Sequence, residues 1–122
     1  MRNISNEVFS QYSRVLDRTN YCYNYYYYYY YYGDDMFLFL KAREQYFNDL
    51  LKSNGHVLLN DVYESIGLSR ILEYYDIGWL YNEENPVGDN FIDFGIYNLS
   101  DLINGMPDEI IIDFNVDGVI RY

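Results

Sequence analysis

Between Phe91 and Ile120 the chain carries its densest alternation of β-branched and aromatic residues, FIDFGIYN, then IIIDFN and VDGVI, and this restricts the fold more than any other feature. Side chains that alternate at period two belong on an extended backbone with one dry face. The run is broken at Asn104-Gly105 and Asp117-Gly118, dipeptides that supply the positive φ angles of tight turns. The spacing predicts strands over 91–97 and 109–114, preceded by a strand at Ile77 to Tyr81 and by an acidic loop, NEENPVGDN, over 82–90.

Upstream the period changes. Asp34 and Asp35 are placed to cap a helix from Met36 to Ser53, which Asn54-Gly55 ends. Phe39, Leu40, Phe47, Leu50 and Leu51 form its apolar stripe, with Lys41, Arg43, Glu44 and Lys52 on a solvated face. His56 to Leu59 is a short apolar entry, after which Asn60 is positioned to N-cap a second helix, Asp61 to Ile66, stopped by Gly67. Ser69 to Asp76 suits one helical turn or two. Val8, Phe9, Tyr12, Val15 and Leu16 have the spacing of a short amphipathic helix within residues 1–20. The expected fold is α+β: a small antiparallel sheet in the C-terminal half, covered on one face by one long and one short helix, with a tyrosine-rich extended N-terminal arm. At 122 residues this is one domain, with residues 1–35 as segment and arm and 36–122 as the α+β unit.

That arm contains Tyr25, Tyr26, Tyr27, Tyr28, Tyr29, Tyr30, Tyr31 and Tyr32 in unbroken succession. Extended, it sends four rings to each face, more aromatic area than a core of this size can absorb. Two readings follow. The run is either a binding platform for a sugar, a base, a protein or a second copy of the chain, or a homopolymer expansion partly packed on the domain; composition favours the expansion.

The net charge of −11 is unevenly spread. Residues 61–122 hold thirteen acids against Arg70 and Arg121, a field that repels phosphate backbones and anionic lipid and favours a basic or nucleic-acid-binding protein partner. Glu83, Glu84, Asp89, Asp108 and Glu109 are the candidate acidic surface. Ordinary solubility accounts for the same charge. Cys22 is the single cysteine, which leaves no internal disulfide and fits a reducing compartment. No apolar run approaches the length of about 20 residues that spans a bilayer, and the opening MRNISNEVF has no signal-peptide core, so a soluble intracellular protein is expected.

The best candidate for chemistry is Asp113-Phe-Asn115-Val-Asp117-Gly118, which matches the opening of a calcium loop, with oxygen ligands at alternate positions and a glycine at the sharp turn. The bidentate Glu of such a loop would fall at position 124, and the preceding Ile-Ile-Ile is strand-like. A β-turn with Phe114 and Val116 packed inward is therefore the favoured reading, and calcium the alternative. Neighbouring acids such as Glu83 with Glu84, or Asp89 with Asp93, arise readily among nineteen. His56, the only histidine, follows a helix end, where capping and packing are commoner than catalysis. Trp79, the only tryptophan, reads as a core anchor. With no phosphate loop, zinc spacing or nucleophile elbow, no cofactor is expected and the chain reads as a non-enzyme.

The strings LKAREQYFNDLL, HVLLNDVYESIGL, NPVGDNFIDFGIY and DFNVDGVI resemble a family encoded by phages and prophages of low-GC Gram-positive bacteria, over roughly residues 36–120. Larger relatives in it carry a hydrophobic N-terminal region ahead of this module. The resemblance brings no activity and no catalytic residues. It implies a phage context, and with the aromatic arm it suggests an interaction protein in the virion, in assembly or in an accessory role, acting in the bacterial cytoplasm during infection or in the particle. The acidic half suggests an alternative, a phosphate-mimicking inhibitor of a host nucleic-acid-processing defence enzyme.

Overall fold

The computed structural model describes residues 9–17, 36–97 and 109–122. The expectations for Asp34 and Asp35, the Tyr25 to Tyr32 run, Asn104-Gly105 and Asp108 lie outside these residues. In chain order the elements are β1 (Arg14–Asp17), α1 (Met36–Asn54), β2 (His56–Leu58), α2 (Leu59–Ser65), a 3-10 turn (Leu72–Tyr74), β3 (Ile77–Leu80), β4 (Glu109–Ile112) and β5 (Gly118–Val119). The fold is α+β. Its strands form two small antiparallel sheets, β1-β4 and β2-β3-β5.

α1 follows its pattern closely. Phe39, Leu40, Phe47 and Leu51 are buried on one face, Lys52 complements the dipole in the last turn, and Gly55 ends the helix at φ +88° with its N–H on Leu51 O at 2.9 Å. The chain then runs directly into β2, whose Val57 pairs with Trp79 of β3. The core lies where α1, α2 and the two sheets meet, and Phe114 is its aromatic hub. Its ring stands edge-on to Phe94, Tyr63 and Trp79 at centroid distances of 5.3, 5.7 and 6.3 Å, a geometry that matches ring edges to ring faces.

The structure corrects several expectations. The segment expected as an N-terminal helix is strand β1, in register Arg14↔Ile112 to Asp17↔Glu109. Leu16 is fully buried while Val15 is exposed, so a period of two governs where one of three or four was expected, and β1 belongs to the core rather than to an arm. Asn60 does not cap α2, because that helix begins at Leu59 and is preceded by Leu58 with no side-chain cap. Asn60 is buried instead. Its amide accepts from Ile71 N and donates to Ile71 O, both at 2.8 Å, holding the chain after α2 as a neighbouring strand would. The single sheet expected from Ile77 onward is two sheets, with β2 and β1 contributed from upstream.

Residues 91–97 form no strand. Their alternation is nonetheless obeyed, with Ile92 and Phe94 buried and Phe91 and Asp93 exposed. Among the described residues, ladder pairing here is confined to the bridge Ile96↔Ile112, with Tyr97 N donating to Ile111 O and Asp113 N to Gly95 O, and one further backbone bond follows from Asn115 N to Asp93 O. Four successive amides are taken by side chains instead: Ile92 N by Asn48 Oδ1, Asp93 N by Asn115 Oδ1, Phe94 N by Glu44 Oε2 and Gly95 N by Asp93 Oδ1, all at 2.8 to 2.9 Å. Buried backbone donors must be satisfied somewhere, and here α1 supplies the acceptors for the two buried residues, Ile92 and Phe94. Glu44, expected on a solvated face, is thus a structural acceptor.

Candidate functional site

Of the residues singled out in the sequence, Trp79, Asp89 and Asp93 meet at Asn115, between β4 and β5. Its side chain is fully used. Oδ1 accepts from the buried indole Nε1 of Trp79 at 2.9 Å and from Asp93 N at 2.8 Å. Nδ2 donates to Asp89 Oδ2 at 3.1 Å and to Phe91 O at 3.0 Å. One amide therefore ties the core tryptophan to the loop over 82–97, which the alternating pattern around Asp113 did not foretell.

Asp113 and Asp117 face elsewhere. Asp113 accepts from Ser10 Oγ at 2.5 Å and from Ser10 N at 3.3 Å, fastening the segment ahead of β1 onto the end of β4. Asp117 Oδ2 accepts from Leu80 N at 2.9 Å while Asp117 N donates to Gly78 O at 3.0 Å, and Gly118 takes the left-handed backbone at φ +111°. Asp117 does not share that positive φ and no turn forms over 113–117, so the expected β-turn is not made; its inward packing does hold, with Phe114 buried and Val116 packed against the core. Burial pushes the Asp117 carboxyl above its ordinary value, opposed by the Leu80 hydrogen bond and reinforced by the Asp89 charge. The three candidate calcium ligands serve three separate structural tasks. Among the described residues no group of three or more His, Cys, Asp or Glu side chains is placed to hold a metal ion.

The acidic loop is built to a defined shape. Asn82 and Asn90 close it reciprocally, Asn82 N to Asn90 Oδ1 at 3.1 Å and Asn90 Nδ2 to Asn82 O at 3.0 Å. Asn82 Oδ1 also accepts from Glu84 N and Asn85 N, an Asx turn at the loop entrance. Gly88 packs so tightly on Asp117 that a Cβ there would sit 2.6 Å from the carboxyl carbon. Glu83 accepts from Tyr81 Oη at 2.5 Å, and that hydrogen bond raises the Tyr81 pKa. Glu83, Glu84 and Asp89 are exposed on this loop. Glu109 sits in β4 opposite Asp17, in the other sheet and away from the loop in sequence.

His56 packs face to face with Tyr122 at 3.8 Å, with Asn54 Nδ2 at 3.1 Å from its carbonyl oxygen, the packing role expected of it. Trp79 is the buried anchor that was expected. Of the asparagines that organise the site, Asn48 acts on Ile92, 44 positions away, which local pattern does not show, whereas Asn82 and Asn90 act within the loop, and their place flanking its Pro and Gly was the available signal. Around the node the arrangement binds backbone to backbone and leaves carboxylates facing outward.

No described helix is long and apolar enough to cross a membrane. Comparison with curated proteins and with solved structures gave no match. A family model does match, over residues 4–122, and so takes in β1 and the tyrosine run as well as the four motifs. The chain belongs to the family of unknown function DUF6353.

Proposed function

We propose that this protein is a non-enzymatic interaction module encoded by a phage or prophage, working in the virion, in assembly or as an accessory factor. The observation that carries the reading is the Asn115 node: a polar side chain that a sequence search would nominate for chemistry is consumed in tying an exposed loop to the buried Trp79. A rigid surface loop lowers the ordering cost of association. The resemblance of four separated motifs to a phage family supplies the context.

The charge supports a second reading, a phosphate-mimicking inhibitor of a host nucleic-acid-processing enzyme. From Ile71 to Ile120 the sequence has eleven acids and no Lys, Arg or His, so the field over this half is unbroken by cations of its own. Tagged protein expressed during infection distinguishes the two. Recovery in gradient-purified virions or assembly intermediates supports the first reading. Recovery of a host nucleic-acid-processing enzyme, released by salt, supports the second. Recovery with neither, from cells making normal phage yields, overturns both.

A further inference from the structure

Alongside its carboxylates the 82–93 loop displays two large apolar side chains, and these set it apart from a merely solubilising acidic surface. Val87 and Phe91 are 59% and 49% exposed, four positions apart, Val87 within the stretch clamped by Asn82 and Asn90 and Phe91 just past it, its carbonyl held by Asn115 Nδ2. Four residues span at most about 14 Å, so both can be covered by one short segment of a partner. Glu83, Glu84, Asp89 and Asp93 surround them in sequence and are exposed. The carboxylates of Glu83, Asp89 and Asp93 each have one oxygen fixed by an internal donor, Tyr81 Oη, Asn115 Nδ2 and Gly95 N respectively. Each of these three carboxylates is thus tethered at one oxygen on an exposed residue. The nearest cation upstream in sequence, Arg70, is engaged by Asp61 and Glu64.

We propose that this loop is a docking surface for a basic amphipathic polypeptide segment, one in which an apolar side chain is flanked by Lys or Arg. The inference rests on the interaction-module reading and names the surface and the chemistry of its partner. Charge complementarity selects the occupant. A second copy carries the same −11 and is repelled, and nucleic acid is repelled for the same reason. A bare polycation gains nothing from covering Val87 and Phe91, whereas a segment with an apolar residue between its cations buries them while its ammonium or guanidinium groups meet the fixed carboxylates. Because the loop is held by the Asn82, Asn90 and Asn115 amides, little conformational freedom is lost on binding.

The test uses the full isotope-labelled chain and two synthetic peptides of roughly a dozen residues, one alternating Lys with Leu and a twin with Ser replacing Leu, lengths typical of extended peptide recognition. Amide shifts on titration should centre on 82–93, and the Leu peptide should bind at least ~10-fold more tightly than its Ser twin. Val87→Ser combined with Phe91→Ser should remove that difference, and Glu83→Gln combined with Glu84→Gln should weaken both peptides and flatten the salt dependence. All four side chains are exposed, so apart from Tyr81, whose hydroxyl donates to Glu83, the spectrum outside the loop should be unchanged. Equal affinity for the two peptides, or shifts spread over acids elsewhere, overturns the inference and reduces the loop to plain charge. A natural partner recovered equally well by the Val87→Ser, Phe91→Ser protein overturns it too, while leaving the interaction-module reading intact.

Discussion

Asn115→Ala is the substitution that asks most of the structure. It removes an amide that makes four hydrogen bonds, but the four are unequal. Asp89, Phe91 and Asp93 are exposed, so water can replace the lost amide there, and these three together contribute about 1 kcal/mol. Trp79 is 1% exposed, and its indole N–H would be left buried without an acceptor, which costs about 1–3 kcal/mol. The expected loss is about 2–4 kcal/mol, which for a domain of this size lowers Tm by roughly 10 °C. Thermal and urea denaturation measure it, and Trp79→Phe completes a double-mutant cycle whose coupling term should reach about 1–2 kcal/mol, because removing the indole N–H first makes the later loss of Asn115 milder. Amide exchange in 89–93 should quicken in the same variant. A loss under about 0.5 kcal/mol, the range of ordinary surface substitutions, would refute the claim that Asn115 holds the loop to the core.

Three further outcomes are expected. Asp117 has a folded-state pKa raised by burial, so the folded protein binds its proton more readily than the unfolded chain and stability falls as pH rises from the ordinary carboxylate range through the raised value; Asp117→Asn should flatten that fall, with the variant's urea midpoint gaining on wild type as pH increases. Tyr63, pushed up to about 12 chiefly by burial, should make stability decline above the ordinary phenol value of 10.0, and Tyr63→Phe should remove that alkaline slope while costing about 1 kcal/mol for the 2.7 Å bond to Tyr12 O. Leu16→Ala should destabilise by about 2–5 kcal/mol, since Leu16 is fully buried; a change typical of an exposed residue in urea unfolding would show that β1 is peripheral.

The sequence could be read where each residue answers to its immediate neighbours. α1 was legible because one period runs through nineteen residues and a glycine stops it. The inward set Ile92, Phe94 and Phe114 was legible because alternation depends only on which face is dry. Whether an alternating segment then joins a ladder depends on which acceptors lie beside it, and Asn48, Glu44 and Asn115 reach the 92–94 amides from 44, 50 and 22 positions away. Local pattern carries no trace of such partners. Asn60 misled for a related reason: the residue types that cap helices are also those that pair with passing backbone, and burial decided between the two uses. The Asp113 to Gly118 motif was ambiguous because the same oxygens and glycine serve a turn and a cation loop. Its partners, Ser10 ahead of β1 and Trp79 and Leu80 in β3, resolve the geometry and lie far from the motif in sequence.

The pairing of β1 with β4 joins Arg14 to Ile112, 98 positions apart. Closing so wide a loop delays the reward of the contacts it makes, and topologies dominated by such closures fold slowly. On a ribosome Leu16 would emerge early and wait for Ile110 and Ile112 before its burial could be completed. Folding of this chain is therefore expected to finish after most of it has been synthesised, and an internal deletion or early stop that removed β4 would strand the opposite end as well.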